Sequence, residues 1–300
     1  MFIDLIRNAE QIKLMTNSRN SFNFGGDWSV RPEPRRDHEV VPCVPVERFR
    51  DHVQALRALG DIVPVDQLPV PARSLRPRFA LTFDDDYATH VRHVLPVLRE
   101  LAAPATFFLS GRSLHGLGPY WWEVLEDRMR QDGVERVARS LDIPDARPGA
   151  IAAACEDDPD RRRALEAGAA RAADQLSPQE IAELAAAGMT IGFHTVEHAV
   201  LPLLSRADRR RALTHGRDEL RSLTGQRLAV LAYPHGRADA ATAADARAAG
   251  YASAWTGAGS AVGGASDRWR LARWEAGPVD PRTLRARAVG RLLRSASADG

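Results

Sequence analysis

The sequence is almost without lysine and cysteine. Lys13 is the only lysine among 41 basic residues, so the other 40 are arginine, and 39 acidic residues leave a formal net charge of +2. This near balance argues against a nucleic-acid-binding protein, and we interpret the arginines mainly as solvated helix faces. The two cysteines, Cys43 and Cys155, form no Cys-x-x-Cys motif, which argues against a disulfide scaffold or a structural zinc knot.

Long apolar runs are also missing. No run approaches the roughly 20 apolar residues of a membrane-spanning helix, so we predict no membrane span. Near the N-terminus, Asp4 and Arg7 interrupt the stretch in which an export signal would have its apolar core. We therefore predict a cytoplasmic protein. With 44% apolar residues in 300, the chain has enough material to bury the core of one barrel-sized domain.

Apolar runs and helical periodicities alternate through most of the chain. This alternation predicts a parallel sheet covered by helices, open or closed as a barrel. The predicted strands cover 62–65, 79–83, 105–109, 189–193, 228–232, 251–255 and 269–274, and the predicted helices 45–59, 91–101, 178–188, 206–223 and 240–249.

The pattern divides the chain into an N-terminal extension at 1–44 and a barrel domain at 45–300. A stretch rich in Ala, Arg, Asp and Glu, at about 113–177, predicts a helical insertion over the top face. Near its start, Tyr120, Trp121 and Trp122 place aromatic side chains close to the expected site. We favour a plug that docks the insertion over a platform for substrate.

Polar side chains follow two of the predicted strands directly. Asp84 and Asp85 end one strand, and His194 and His198 follow another at a spacing of four residues. The carboxyl ends of parallel strands share one edge, which is where barrel enzymes place their sites. One carboxylate and two imidazoles can hold one metal ion and leave a position open for water, while the second carboxylate serves as a base. The sequence therefore predicts a hydrolase.

The residues Thr82 to Asp85, His194 to His198 and Ala232 to Gly236 resemble the motifs of a known family. They are similar to those of the polysaccharide deacetylases of carbohydrate esterase family four, with the third motif in its Ala-Tyr-Pro branch. The resemblance implies an irregular (β/α) barrel and one divalent metal ion, zinc. It implies that Asp85, His194 and His198 bind this ion, that Asp84 is the catalytic base, and that the backbone N–H of His235 stabilises the oxyanion.

The chain departs from the family pattern at three places. Asp86 replaces a glycine, and either selects a cationic substrate or faces solvent. Ala232 replaces an arginine, so Arg270 or Arg273 is the candidate to orient Asp84. The usual Leu-His general acid is missing, which makes His235 the candidate acid, although a hydrogen-bonded loop histidine is an equal alternative. We assign Asp86, Tyr233, Pro234 and Arg273 to substrate binding.

These features predict N-deacetylation of an amino sugar or a related acylated amine. The expected partner is therefore a small-molecule or saccharide substrate with an N-acyl group, and the sequence leaves the oligomeric state open. One alternative is a cyclic amide or ureide hydrolase of the same fold. The other is a catalytically weakened homologue that binds a glycan or a partner, which Asp86 and the missing acid favour.

Overall fold

A nine-stranded sheet forms the centre of the molecule. The computed structural model describes residues 2–6, 29–32, 40, 43–68, 76–156, 158–166, 175–257 and 267–296. The strands are β1 Phe2–Ile6, β2 Ser29–Arg31, β3 Cys43–Pro45, β4 Asp61–Ile62, β5 Arg78–Asp84, β6 Thr106–Leu109, β7 Thr190–Phe193, β8 Val230–Ala232, β9 Ser253–Thr256, β10 Leu271–Ala272 and β11 Trp274–Glu275.

Helices cover the sheet and form the insertion. They are α1 Val46–Leu59, α2 Leu95–Glu100, α3 Trp121–Asp132, α4 Val134–Ser140, α5 Pro148–Glu156, α6 Pro159–Glu166, α7 Pro178–Ala186, α8 Arg206–Ala212, α9 Arg217–Thr224, α10 Ala240–Ala248 and α11 Pro281–Ala296. A π-helical turn, His90–Val94, leads into α2. None of the helices that the structure describes is both long enough and apolar enough to cross a bilayer.

The strand order is β10-β9-β8-β7-β6-β5-β1-β11, with β4 beside β5, and β2 and β3 pair separately. The strands β4 to β10 run parallel, whereas β1 is antiparallel to both β5 and β11. Only Arg273 separates β10 from β11, although these strands lie at opposite ends of the order. The sheet therefore curls until its two edges meet near Arg273, which confirms the predicted irregular (β/α) barrel.

Neighbouring parallel strands end at the same level. The backbone N–H of Asp85 donates to the carbonyl oxygen of Phe108 across 3.1 Å, and the backbone N–H of His194 donates to the carbonyl oxygen of Leu109 across 2.9 Å. The first residue after each of these strands thus still pairs with the neighbouring strand. Because the strands are in register, the motif side chains reach the same edge of the barrel, as predicted.

The side chains of β5 alternate between two environments. Phe79, Leu81 and Phe83 pack in the main core under the helices. Ala80 belongs to a smaller cluster with residues of neighbouring strands, on the opposite face of β5. Asp84 lies on that second face, so its carboxylate points towards the inside of the curled sheet.

The structure corrects several predicted elements. Phe2–Ile6 is a strand of the central sheet, so assigning all of 1–44 to an extension outside the barrel was wrong. The helix predicted at 206–223 is divided into α8 and α9 at Gly216, which has a φ of 79°. A Cβ there would approach Val196 Cγ2 to 2.3 Å, so the chain passes the second motif too closely for any other residue. The last helix, α11, was not predicted.

The predicted insertion contains α3 to α6, which have a hydrophobic cluster of their own. Trp121, Leu125 and Met129 pack there against Ile151 and Cys155. Cys155 is buried without a disulfide. The helix after the insertion, α7, begins with the expected capping box of Ser177 and Glu180.

Candidate metal centre

Three of the predicted ligands converge in a buried cluster. The Nε2 atoms of His194 and His198 lie 3.2 Å apart. Asp85 Oδ1 lies 3.8 Å from the first of these atoms and 3.5 Å from the second. The three residues form a group in the described part of the chain that could hold a metal ion.

The surroundings of Asp85 fit a bound cation. Asp85 is fully buried, and neither of its carboxylate oxygens has a hydrogen-bond partner among the described residues. A buried carboxylate without partners is strongly unfavourable, and so are two imidazole nitrogens that face each other. One divalent cation would satisfy all three groups at once. The donor set of two nitrogens and one oxygen suits a metal site with an open position.

The histidines are prepared to act as neutral ligands. His194 Nδ1 lies 2.9 Å from the carbonyl oxygen of Ala232. A carbonyl can only accept, so Nδ1 carries the proton and Nε2 keeps its lone pair for the metal. For His198, burial lowers the pKa well below its ordinary value, and nearby positive charges including Arg112 lower it further.

Asp84 lies beside the ligands but has different partners. Arg273 binds it in a bidentate pair, with Nη1 2.7 Å from Oδ1 and Nη2 2.8 Å from Oδ2. Asp84 Oδ2 is 3.9 Å from His194 Nε2, which places this carboxylate next to the ligand cluster. Of the two predicted arginines, Arg273 therefore orients Asp84, whereas Arg270 is exposed. Arg273 is 0% exposed, so its assignment to substrate binding was wrong.

The ion pair with Arg273 keeps Asp84 ionised. Burial by itself raises the pKa of this carboxyl, but the positive charge and hydrogen bonds of Arg273 outweigh it and the pKa is lowered overall. Asp84 is therefore a carboxylate at neutral pH and can accept a proton.

Sequence reasoning missed His90, which supports both aspartates. His90 Nε2 lies 3.0 Å from the carbonyl oxygen of Asp84 and 3.1 Å from that of Asp85. Burial lowers the pKa of His90 to about 4, so the ring is neutral and donates one N–H to the two carbonyls. The only sequence signal was a histidine five residues after the Asp-Asp pair, at the start of a helix.

Asp86 binds neither solvent nor substrate, which corrects both sequence interpretations. It is 1% exposed, and its carboxylate accepts hydrogen bonds from Ser110 N at 2.9 Å, Ser110 Oγ at 2.8 Å and Arg112 N at 2.8 Å. These bonds tie the end of β5 to the loop after β6. Asp86 therefore supports the wall of the site.

Tyr233 and Pro234 were also assigned to substrate binding, and both are buried. The Tyr233 hydroxyl donates to the carbonyl oxygen of Trp269 across 2.7 Å, and the ring belongs to the main core. Pro234 begins a short 3-10 turn with His235 and Gly236. The buried Tyr233 and Pro234 therefore support the turn. His235 is the residue of this motif that lines the cleft.

His235 lies between the barrel and the insertion. Its Nε2 is 3.2 Å from the carbonyl oxygen of His198, and its Nδ1 is 3.4 Å from Glu156 Oε1 at the end of α5. Glu156 was not predicted as a site residue, because only the fold brings the insertion over this turn.

Unusual backbone conformations concentrate at the site. Seven described non-glycine residues have positive φ, and four of them are Asp85 (69°), Thr195 (61°), His198 (49°) and His235 (57°). Such conformations are sparsely populated and persist only where the surrounding structure enforces them. The left-handed position in the first motif therefore falls on the ligand Asp85.

Aromatic side chains from the start of the insertion pack against His198. The rings of Tyr120 and Trp122 are stacked with centroids 4.4 Å apart, and lie 5.3 Å and 5.1 Å from the His198 ring. Trp122 Nε1 donates to the Tyr87 hydroxyl across 2.8 Å, which anchors the insertion to the barrel. These rings are almost fully buried, as expected for a plug.

Several solved structures are similar to this chain, and two of the three described here are deacetylases by their descriptions. PplD, a Streptococcus pyogenes deacetylase determined in complex with acetate, is 18% identical, with 86% of this chain and 93% of that chain covered and a TM-score of 0.61. IcaB from Ammonifex degensii is 18% identical, with 88% and 97% covered and a TM-score of 0.57. A de-N-acetylase from Aggregatibacter actinomycetemcomitans is 13% identical, with 85% and 93% covered and a TM-score of 0.57. At these identities the likeness shows a shared fold.

Comparison at the level of sequence identifies the family. A search of curated proteins gave no match. Residues 73–254, well over half of the chain, match the sequence model of the polysaccharide deacetylases. This match includes all three motifs and the strands β5 to β8. The chain belongs to the polysaccharide deacetylase family.

Proposed function

We propose that this protein is a zinc-dependent N-deacetylase that acts on an N-acetylated amino sugar. Membership of the polysaccharide deacetylase family supplies the reaction class, hydrolytic removal of an acyl group from an amine. The observation that carries the proposal is the buried trio Asp85, His194 and His198, next to an ionised Asp84 held by Arg273.

Asp85, His194 and His198 would hold the metal. Two imidazoles and one carboxylate are a donor set of catalytic zinc sites, which supports zinc over metals that prefer oxygen ligands alone. When bound, the ion supplies Lewis-acid polarisation of the amide carbonyl and lowers the pKa of water.

Asp84 is the base in this proposal. Water adds to the acyl carbon and gives its proton to the Asp84 carboxylate. Arg273 holds both carboxylate oxygens, so the base has a fixed position before substrate arrives. General-base catalysis typically contributes about 10²- to 10⁴-fold in rate.

The amine that departs needs a proton when the C–N bond breaks. His235 is the candidate donor, because its ring lines the cleft and contacts Glu156. The interpretation of a weakened homologue loses one of its two arguments, since Asp86 is part of the supporting structure.

The test is a mass-spectrometric screen of the zinc-loaded protein against N-acetylated amino sugars and cyclic amides. We expect release of acetate from at least one amino sugar, and its loss in Asp84→Asn. Ring opening of a cyclic amide without acetate release would replace this proposal with the cyclic amidase. Bound metal without hydrolysis of any amide would instead favour a glycan-binding homologue.

A further inference from the structure

The cleft over the ligand trio is narrow and is completed by the insertion. Its volume is about 150 Å³, and the residues that line it include His198 and His235. Pockets that enclose a whole drug-sized ligand have volumes of about 300–1,000 Å³. This cleft therefore accommodates one end of a substrate, and the remainder of that molecule meets the residues around the opening.

Two consecutive arginines of α6 contribute to this cleft. Arg163 is largely exposed, whereas Arg162 is half-buried and donates to the backbone carbonyl of Glu156. A carbonyl is a neutral acceptor, and within the described residues no carboxylate lies at ion-pair distance from Arg162. Arg163 pairs with Asp160, but their side chains are 71% and 86% exposed, so this pair is weak.

The acidic residue that lines the same cleft does not neutralise these arginines. Glu197 has basic partners of its own on the barrel, with Oε1 3.3 Å from His215 Nδ1 and 3.9 Å from Arg211 Nη1. Two arginines of the insertion therefore line the cleft, and neither has a strong acidic partner among the described residues.

We propose that Arg162 and Arg163 form a phosphate subsite and that the substrate is an N-acylated amino sugar bearing a phosphate group. The inference rests on the proposed N-deacetylase function and specifies its substrate class. A guanidinium group matches the geometry of phosphate oxygens, and two arginines that line one cleft place positive charge where a dianion would enter. A neutral saccharide carries no charge that could pair with either arginine.

The first test compares hydrolysis of two matched substrates, N-acetylglucosamine 1-phosphate and N-acetylglucosamine. Hydrogen bonds to charged groups contribute about 1.5–3 kcal/mol, so we expect kcat/KM to favour the phosphorylated sugar by roughly 10- to 100-fold. The double variant Arg162→Gln/Arg163→Gln should bring this ratio close to one. Arg147→Gln, which removes an exposed charge elsewhere in the insertion, should leave the ratio unchanged.

The second test measures binding without hydrolysis. Trp121 and Trp122 line the cleft, so their fluorescence reports titration with glucosamine 1-phosphate and with glucosamine. We expect tighter binding of the phosphorylated amine, weakening with added salt, loss of the preference in the double variant and partial recovery in Arg162→Lys. Circular dichroism confirms that each variant is folded.

Three outcomes would overturn the inference. These are equal binding of the two amines, a larger preference for the carboxylate of N-acetylmuramic acid than for phosphate, and equal losses on charged and neutral ligands in a folded double variant. Phosphate-dependent binding without any deacetylation would uphold the subsite and reject the proposed hydrolase. Deacetylation without a phosphate preference would uphold the proposed hydrolase and reject the subsite.

Discussion

Asp84 and Asp85 are neighbours in the chain but have opposite surroundings. Arg273 binds both oxygens of Asp84, whereas both oxygens of Asp85 lack partners in the described structure. The contacts of Asp84 hold a charged carboxylate in place as the proposed base. The surroundings of Asp85 leave its carboxylate free to bind a metal. The proposal therefore gives two residues of one type different functions, because the fold places an arginine beside only one of them.

The two aspartates should respond differently to the same substitution. Asp84→Asn keeps the three ligands and should retain the ion while lowering kcat by about 10²- to 10⁴-fold. Asp85→Asn should weaken metal affinity. Metal titration and steady-state kinetics on both variants check this, and equal effects on affinity and rate would show that the roles are wrongly assigned.

Arg273 should affect catalysis more than its exposed neighbour does. Arg273→Gln removes the bidentate partner of a buried carboxylate, so we expect a lower kcat and a loss of stability of about 3–5 kcal/mol. Denaturant unfolding and kinetics measure the two effects. Arg270→Gln, three residues earlier and exposed, is the matched control and should change neither.

His235 can be tested by varying the leaving group. His235→Gln keeps a backbone N–H but removes the imidazole, so a general acid predicts slower hydrolysis of amides and largely unchanged hydrolysis of ester analogues, whose leaving groups need little protonation. The ratio of the two rates is the measurement. Equal losses on amides and esters would assign His235 to binding or to support of the turn.

At the scale of elements, the helical insertion is the part that adds side chains around the candidate site on the barrel. It contributes Tyr120 and Trp122 against His198, Glu156 beside His235, and the arginines of α6. Within the insertion, Glu123 caps α3 by accepting a hydrogen bond from Tyr120 N across 2.7 Å. The insertion is thus a wall of the cleft as well as a cover.

Glu123 should make stability depend on pH. Burial raises its pKa from the ordinary value of 4.5 to about 8, so between these values the folded state retains a proton that the unfolded state has lost. Stability therefore falls as pH rises through this window, by at most about 1.4 kcal/mol per pH unit. Unfolding of metal-free protein from pH 5 to 8 should show this loss in wild type and less in Glu123→Gln.

Glu135→Gln is the control for that measurement, because it changes an exposed carboxylate on the next helix. Its pH dependence should match wild type. A Glu123→Gln profile that also matches wild type would show that Glu123 does not titrate differently in the folded state.

At the scale of the whole molecule, the metal site joins strands that are far apart in sequence. Asp85 follows β5 and His194 follows β7, while Arg273 lies where the two edges of the sheet meet. A bound ion would connect these elements and should stabilise the native barrel.

Zinc should therefore raise the unfolding temperature. A ligand at 100 times its dissociation constant stabilises the native state by about 2.7 kcal/mol. We expect this shift in wild type, its reversal by a chelator and its absence in His194→Ala. His93→Ala, a half-buried histidine outside the trio, should behave like wild type. An equal shift in His194→Ala would contradict the assigned ligands.

The sequence by itself indicated a parallel sheet with an Asp-Asp pair and two histidines at one edge, and the family resemblance singled out the barrel and Asp85. Runs such as 79–83 and 189–193 are apolar enough to specify buried strands, and the functional residues follow those strands directly. Because parallel strands bring their carboxyl ends to one edge, local signals sufficed to bring Asp85, His194 and His198 together.

Only the tertiary structure decided what the supporting residues do. Asp86 and Tyr233 sit inside the motifs, yet their side chains turn into the protein because Ser110 and Trp269 approach them from other elements. The role of Arg273 depends on closure of the sheet at its seam. Such contacts join residues distant in sequence, and no local pattern records the packing that brings them within hydrogen-bond distance.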